Sequence, residues 1–376
     1  MTILTDDQRQ IGDMAKSFLA EEGTIKKQLR HWRDSGCKDG FGHALWKQFA
    51  ELGLTGIAVP EEHGGLGLGV TEAALVLEEI GRNLTPSPFL TTALVAVEAL
   101  KGTEQGKRWY PGIVAGDTVA ALAVDEGRHH RPREIALEAK RSGNGFALSG
   151  SKQFVIHGAS ADVILVAART GGSSGESDGL TLFAVPRDSA GLTIENVALA
   201  DASKAARVTL DRVEVDADSV VGDVDNGWEP LRRSLRVGRT GAAAELVGVA
   251  AGASAMTLDY LKQRKQFGRL IGEFQALQHR AAHLFGEIEI ARAATWKAAE
   301  LLDRDDAQAG LMSHVAKAKA GRVSALGVQE AIQMHGGIGM TDEHDIGLYM
   351  KREAVLGRLF GDWRYHSGKV AELSGY

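Results

Sequence analysis

"YLKQRKQFGRLIGEFQALQHRAAHLF", residues 260–285, is the stretch on which the reading of this chain turns. Arg264, two intervening residues and Phe267-Gly268 make a turn between two helical patterns, and Phe274-Gln275 starts the second of them. Two helices joined by so short a break have apolar faces to bury, and packing as a bundle buries them. The helical period runs from after "VVGDVDNGWEP" almost to the C-terminus. In "GLMSHVAKAKAGRVSALGVQEAIQMHGG", Met312, Val315, Ala316, Val323 and Leu326 mark one mostly apolar stripe interrupted by Lys319, and Gly336-Gly337 stops the helix.

Upstream of the bundle the period is two. "TVAALAVDE", "GFALSGSKQFVIHG", "ADVILVAART", "LTLFAVPR", "LTIENVAL" and "ARVTLDRVEVD" read as strands, and "TGGSSGESDGL" as a flexible hairpin loop between two of them. Before these, "DDQRQIGDMAKSFLAEE", "GHALWKQFAELG", "VTEAALVLEEIGRNL" and "FLTTALVAVEAL" read as helices. "IAVPEEHGGLGLG" reads as a loop, with Pro60 followed by Gly64, Gly65, Gly67 and Gly69. The chain is therefore expected to be α+β in three parts: a helical domain over 1–115, a β-barrel-like middle domain over 116–222 and a four-helix bundle over 223–376. No internal repeat is visible.

Composition removes several classes of function. With 44% hydrophobic and 24% charged residues and a formal charge of −6 over 376 residues, the chain resembles an ordinary soluble protein. Its basic residues are scattered, as in "KQRKQFGR", and form no block beside aromatics, which speaks against nucleic-acid binding. The single cysteine, Cys37, allows no internal disulfide and no cysteine cage for zinc, so a reducing cytoplasmic setting is expected. The N-terminus has acids near Met1 and helical spacing at Ile11, Met14 and Phe18, unlike a signal peptide. No uninterrupted apolar run reaches the roughly 20 residues that cross a bilayer. The Ala-rich "TGAAAELVGVAAGASAMTL" carries Glu245 within it and is expected to be a buried bundle helix.

Two features point to a dinucleotide. A pyrophosphate needs a guanidinium and closely approaching backbone N–H groups, and Arg264 with the Gly336-Gly337 corner offers both. The corner follows a helix with no strand before it, so it is not a nicotinamide-binding fingerprint.

With "QMHGGIGMTDEH" at 333–344 and "LWKQFAELGLTGIAVPEEHGGLGLG" at 45–69, residues 260–285 complete a set of motifs that resembles the acyl-CoA dehydrogenase family along nearly the whole chain. The resemblance implies FAD as cofactor, and α,β-desaturation of an acyl-CoA thioester as the reaction. It implies that Arg264, Phe267, Gln275, Gln333, Gly336 and Gly337 embrace the FAD of a neighbouring subunit while the β domain holds the chain's own flavin ring. Arg239 matches an arginine of the family in the long helix and is a candidate substrate contact. An electron-transferring flavoprotein is the implied redox partner.

The chain departs from the family where the reaction begins. A glutamate is expected to take the α-proton, either in a turn after the last motif or on the helix before "QRKQFG". In "RLFGDW", residues 358–363, Phe360 takes the aromatic position and Gly361 the glutamate's. Counting back 26 residues from Arg264 reaches Gly238, so the alternative position is glycine as well. Asp362, beside Gly361, is the candidate that could still supply a base. Glu245 lies seven residues beyond Gly238, about 10 Å along a helix, and reads as structural.

The β domain departs too. "VDEGRHHRP" replaces a Thr-Glu-Pro segment, and Phe154, Val155 and Ile156 stand where an aromatic-x-Thr contacts the flavin, so Ile156 brings no hydroxyl. His129 and His130 read as solvated turn residues rather than metal ligands. The chain is similar to the non-catalytic subunit of α2β2 acyl-CoA dehydrogenases, including those acting on steroid side chains, in which a glutamate-bearing paralogue brings the base and its partner completes the FAD site. Two alternatives stay open: a self-sufficient homotetramer with Asp362 or another residue as base, and a non-enzymatic acyl-CoA-binding scaffold.

Overall fold

The computed structural model describes residues 4–376. They form two compact units. One holds the N-terminal stretch up to His31, Val70–Pro86 and Arg239–Tyr376, and the other holds Trp32–Gly69 and Ser87–Gly238. The N-terminal third is thus shared between the units.

The helical unit contains α1 (Asp6–Glu21) and, later, α3 (Val70–Asn83), which pack on each other; α2 (His43–Glu51), α4 (Phe89–Leu100) and α5 (Glu104–Val114) belong to the other unit. α1 starts on a capping box: Thr5 Oγ1 accepts from the Gln8 N–H at 3.2 Å, and Gln8 Oε1 accepts from the Thr5 N–H at 3.0 Å. The unit continues with α6 (Trp228–Gln263), which enters it at Arg239, α7 (Gln275–Asp303), α8 (Ala309–His335), α9 (Ile346–Leu356) and α10 (Trp363–Leu373). α8 is the centre, with α7, α9 and α10 all packed on it.

α3 and α6 approach backbone to backbone. A Cβ on Gly81 would run into the Glu245 carbonyl, and one on Gly248 into the Glu78 carbonyl, so only glycine fits at this crossing. Buried charge is paired at the same place. Arg292 on α7 donates to Glu78 at 2.8 Å and also meets Glu289, while Arg352 on α9 donates from Nε to the buried Glu245 at 2.9 Å. Asp303 at the end of α7 accepts from the Val70 and Thr71 N–H groups and the Thr71 hydroxyl, capping α3 from a distance.

By length and composition α6 could cross a membrane, but 83% of its most apolar window is buried inside the protein, as in the buried helix expected of the Ala-rich stretch. The apolar stripe expected on α8 is also displaced. Ala316 and Val323 are buried, but Met312, Val315 and Leu326 are only half-buried, and the buried face is built from Ser313, Lys317, Ala320, Ser324 and Gly327. Lys319 pairs with Glu287 on α7 at 2.7 Å.

In the second unit β1 (Ala120–Ala123), β2 (Glu138–Ser142), β3 (Gly145–Ile156), β4 (Val163–Arg169), β5 (Leu180–Pro186), β6 (Leu192–Ala198), β7 (Lys204–Val215) and β8 (Val220–Val221) make one sheet. Its order is β6-β7-β3-β2-β4-β5-β8, with β1 pairing parallel to β4. β2 and β8 add two short strands to those expected. β4 and β5 pair from Arg169–Leu180 to Val163–Pro186, so "TGGSSGESDGL" is the tip of a hairpin. Every residue of β4 is buried, whereas β7 alternates along much of its length, which separates a central strand from one with a wet face. α4 lies against β1, where the Thr92 hydroxyl donates to the Ala120 carbonyl at 3.0 Å.

Candidate functional site

The first two motifs meet through one ring contact. Tyr260 precedes Arg264 by a helical turn, its carbonyl accepting the Arg264 N–H at 2.9 Å. Its ring stacks on His335 with centroids 4.4 Å apart and planes 25° from parallel. His335 is the last residue of α8, and Gly336-Gly337 follow at once. Burial keeps His335 below the usual imidazole range, and its Nδ1 lies 2.7 Å from the Ala331 carbonyl, so a neutral ring with its proton on Nδ1 fits. Arg264 and the glycine corner are therefore tied to one rigid stack.

What projects from that stack is polar and open. Arg264, Gln275, Gln333, Gly336 and Gly337 are all exposed, and Phe267 is 92% exposed at φ 55°. Phe267 caps a short ribbon that pairs Lys265–Gln266 with Arg269–Leu270, and its ring meets Phe274 edge-on at 6.2 Å, just before Gln275 opens α7. Gly336 sits at φ 65° and ψ −140°, a conformation side chains resist, and a Cβ on either glycine would meet nothing within 4 Å. A guanidinium, two amides and unobstructed backbone are the donors a dinucleotide pyrophosphate requires, so these residues fit the ADP half of FAD.

The turn that carries Gly361 is built differently. Gly361 has φ 100°, and a Cβ there would stand 2.5 Å from Tyr365 Cδ1 and 3.1 Å from His366 Nε2. The space beside its Cα is taken by the first turn of α10. His366 is fully buried, and its Nδ1 lies 2.8 Å from Nδ1 of His314 on α8, so one ring donates and the other accepts. Beneath the turn, Lys317 is fully buried and donates to the carbonyls of Leu356 at 3.2 Å, Gly357 at 3.0 Å and Gly361 at 3.1 Å. Burial drives its ammonium down to about 7, against the pull of Glu353 and Asp362. Asp362 is the N-cap of α10, with Oδ1 accepting the Tyr365 N–H at 2.8 Å.

The other expected positions are closed. Gly238 is buried within α6. Arg239 is buried as well, donating from Nε to the Ser313 hydroxyl at 2.9 Å. Glu245 is held by Arg352 and is structural, as its position suggested.

In the sheet unit, β3 is bulged between Lys152 and Val155. The irregularity turns Val155 into the core and leaves Phe154 at φ 54° and 38% exposed. Lys152 is fully buried and donates to the Val124 carbonyl at 3.0 Å and to Glu126 at 2.8 Å. Glu126 also accepts the Ala136 and Leu137 N–H groups, so "VDEGRHHRP" is an anchored turn. The solvated reading of His130 is corrected by its partner: its side chain is 6% exposed, with Nδ1 2.9 Å from Asp125 Oδ2, whereas His129 is exposed. Among the described residues no cluster of His, Cys, Asp or Glu is placed to hold a metal ion.

Sequence periodicity did not reveal Lys317, the His314–His366 pair or the Tyr260–His335 stack. The signal for Lys317 was its spacing of four and seven residues from Ser313 and Ser324 on α8's small-residue face.

The family models for the acyl-CoA dehydrogenase N-terminal, middle and C-terminal domains match residues 5–117, 125–213 and 225–366. The chain is 32% identical to the acyl-CoA dehydrogenase FadE12 of Mycobacterium tuberculosis, over 93% of this chain and 90% of that protein. Among solved structures it is similar to a variant of the Tcur3481-Tcur3483 steroid ACAD, 31% identical with a TM-score of 0.87 and 98% of each chain covered. It is also similar to the ChsE4-ChsE5 complex from Mycobacterium tuberculosis, at 25% identity and a TM-score of 0.87, with 100% of each chain covered. On these matches, the chain belongs to the acyl-CoA dehydrogenase family of FAD-dependent flavoproteins.

Proposed function

We propose that this chain is the FAD-completing, non-catalytic subunit of a heterotetrameric acyl-CoA dehydrogenase that desaturates an acyl-CoA thioester between Cα and Cβ. One observation carries the reading: the seat that the family resemblance gives to the catalytic glutamate is Gly361, where the Tyr365 ring already fills the space a side chain would need. The neighbouring carboxylate, Asp362, is engaged as a helix cap. The proton-accepting group then comes from a glutamate-bearing paralogue, and this chain's Arg264, Gln333 and open glycine corner hold the ADP half of the paralogue's FAD. When bound, the flavin would supply the acceptor for the hydride from the substrate's Cβ; Arg264, Gln333 and the glycine corner of this chain would position it, and this chain takes no proton.

Likeness to the steroid ACAD and to the ChsE4-ChsE5 complex supports a two-chain assembly and a substrate with a steroid side chain. An electron-transferring flavoprotein as acceptor and a cytoplasmic location complete the proposal. The test is the flavin-to-protein ratio of the purified chain by absorbance, alone and after co-expression with a glutamate-bearing paralogue. A colourless, inactive chain that becomes a yellow, active complex is expected. A yellow, active chain on its own would overturn the assignment.

A further inference from the structure

Three rings bracket the glycine corner within the helical unit. Tyr260 comes from α6, His335 ends α8, and His344 stands before α9, on the far side of the turn Gly336–Met340. His335 is the middle one: Tyr260 stacks on it, and the His344 ring lies with its centroid 4.6 Å away and its plane tilted by 54°. Tyr260 meets His344 edge-on at 6.2 Å, which closes the cluster. The turn folds back onto His335, since Gly339 is buried and a Cβ there would stand 3.0 Å from His335 Cβ.

The hydrogen bonds fix which nitrogens carry protons. His335 donates from Nδ1 to the Ala331 carbonyl, so Nε2 is a lone pair, and it is buried with no hydrogen-bond partner. His344 Nδ1 accepts the Ile346 N–H at 3.2 Å, so its proton sits on Nε2. A proton added to His335 Nε2 would make a buried donor without an acceptor. Burial opposes that charge, and so does His344, against the Ala331 bond that favours it. The neighbouring charges are engaged elsewhere or exposed. On α6, Asp259 pairs with Lys262, and Arg264 is exposed; around His344, Asp342 and Asp345 are held by Arg30, and Glu343 is exposed; on α8, Glu330 is held by Arg280.

We propose that His335 and His344 are positioning residues of the dinucleotide clasp, holding Gly336-Gly337 in place only while His335 is uncharged. This deepens the reading of Arg264 and the glycine corner as a clasp, and it rests on that reading. An imidazolium at His335 must turn Nε2 to water, and a ring that leaves Tyr260 takes with it the support of the corner that follows it directly. The sign is fixed by the depressed folded pKa. The corner is held above the ordinary imidazole pKa of about 6.5, and released as pH falls through the lower folded value.

The test begins with hydrogen–deuterium exchange of the full chain alone, corrected for the intrinsic pH dependence of exchange and read at the amides of residues 336–343. Opening should increase by up to about tenfold from about pH 7.5 to about pH 5.5, the limit set by an imidazole of ordinary pKa in the open state. His335→Phe keeps a ring for Tyr260 to stack on and removes the titration, so it should hold the corner closed at both pH values; His335→Ala should open it at both. His344→Phe removes the neighbouring charge and should shrink the change. In the complex with a glutamate-bearing paralogue, the flavin-to-protein ratio after gel filtration should fall in acid for the wild type and hold for His335→Phe. Wild-type exchange that does not respond to pH overturns the proposal without any variant, and so does a response that His335→Phe retains. A response that His344→Phe leaves intact overturns the part given to His344. A flavin ratio that stays level or rises toward acid overturns the positioning role. If Arg264→Gln then keeps its flavin as well, the clasp itself has failed; if Arg264→Gln loses it, the clasp stands and only the histidines' part in it has failed.

Discussion

Nζ of the fully buried Lys317 donates to the carbonyl oxygen of Gly361 at 3.1 Å, and so fixes the turn in which the family's base would stand. The same ammonium also accounts for the carbonyls of Leu356 and Gly357. Methionine keeps the length of Lys317 but leaves three carbonyls without their donor. Lys317→Met should therefore cost about 1–3 kcal/mol by urea denaturation.

The pH dependence of that variant has a definite sign. The folded pKa of about 7 is depressed from 10.5, so between those values the unfolded chain holds a proton that the folded chain does not. Stability from this group rises with pH across the window, and below it the charged ammonium imposes its full burial cost. The wild-type urea midpoint should gain from about pH 7 to about pH 10 a component that Lys317→Met lacks. Identical slopes for the two proteins would contradict the assignment.

Gly361 and Tyr365 exclude each other sterically. Gly361→Ala places a Cβ 2.5 Å from the Tyr365 ring at φ 100°, and a loss of about 1–3 kcal/mol is expected from strain and overpacking. Tyr365→Ala in the same chain should recover the packing part but not the backbone part. A double-mutant cycle that gives zero coupling would show that the ring yields freely. By the same geometry, Gly361→Glu alone should fail to create desaturase activity.

The order of helical, two-period and helical blocks was legible because burial on a sheet and burial in a bundle leave different spacings in the sequence, as β7 and α1 each do. The motif around Arg264 and Gly336 was legible because turns demand particular residues. Lys317, His314 and His366 were not, because a periodic reading assigns charged and polar residues to the wet face. The bundle buries theirs by giving each a partner on another segment, and that partner lies 39 or more residues away in the chain. His130 was misread for the same reason, since only the folded turn brings Asp125 to it.

Arg264 should behave as a ligand contact and not as a structural residue. It is exposed at the end of α6, so Arg264→Gln is expected to change the thermal stability of the chain by less than about 0.5 kcal/mol. In the complex with a glutamate-bearing paralogue, the same change should lower the bound flavin, read as the ratio of flavin to protein absorbance after gel filtration. Full flavin retention would remove Arg264 from the proposed clasp.

Glu245 is the carboxylate most easily mistaken for a displaced base. Its burial against Arg352 predicts a structural signature instead. Glu245→Ala leaves the guanidinium of Arg352 without its buried partner, and a loss of about 3–5 kcal/mol is expected. Glu245→Ala combined with Arg352→Met should recover most of it, since removing both charges removes the desolvation problem. A catalytic Glu245 would instead give a stable, inactive single variant.

Asp362 separates the two remaining views of catalysis, because a helix cap and a base respond differently to the same pair of substitutions. Asparagine caps helices about as well as aspartate, so Asp362→Asn should keep the Tyr365 N–H bonded and the stability within a few tenths of a kcal/mol, about the spread among good caps. Asp362→Ala removes the acceptor and should cost about 1 kcal/mol. If the residue only caps, the co-expressed complex with Asp362→Asn desaturates acyl-CoA at the wild-type rate, and Asp362→Ala loses activity only as far as it loses folded protein. If Asp362 takes the α-proton, Asp362→Asn is folded and silent, and the wild-type pH–rate profile shows the acidic limb of a carboxylate. The bond from Asp362 Oδ1 to the Tyr365 N–H favours the first outcome, because proton transfer from substrate would have to compete with the capping of α10.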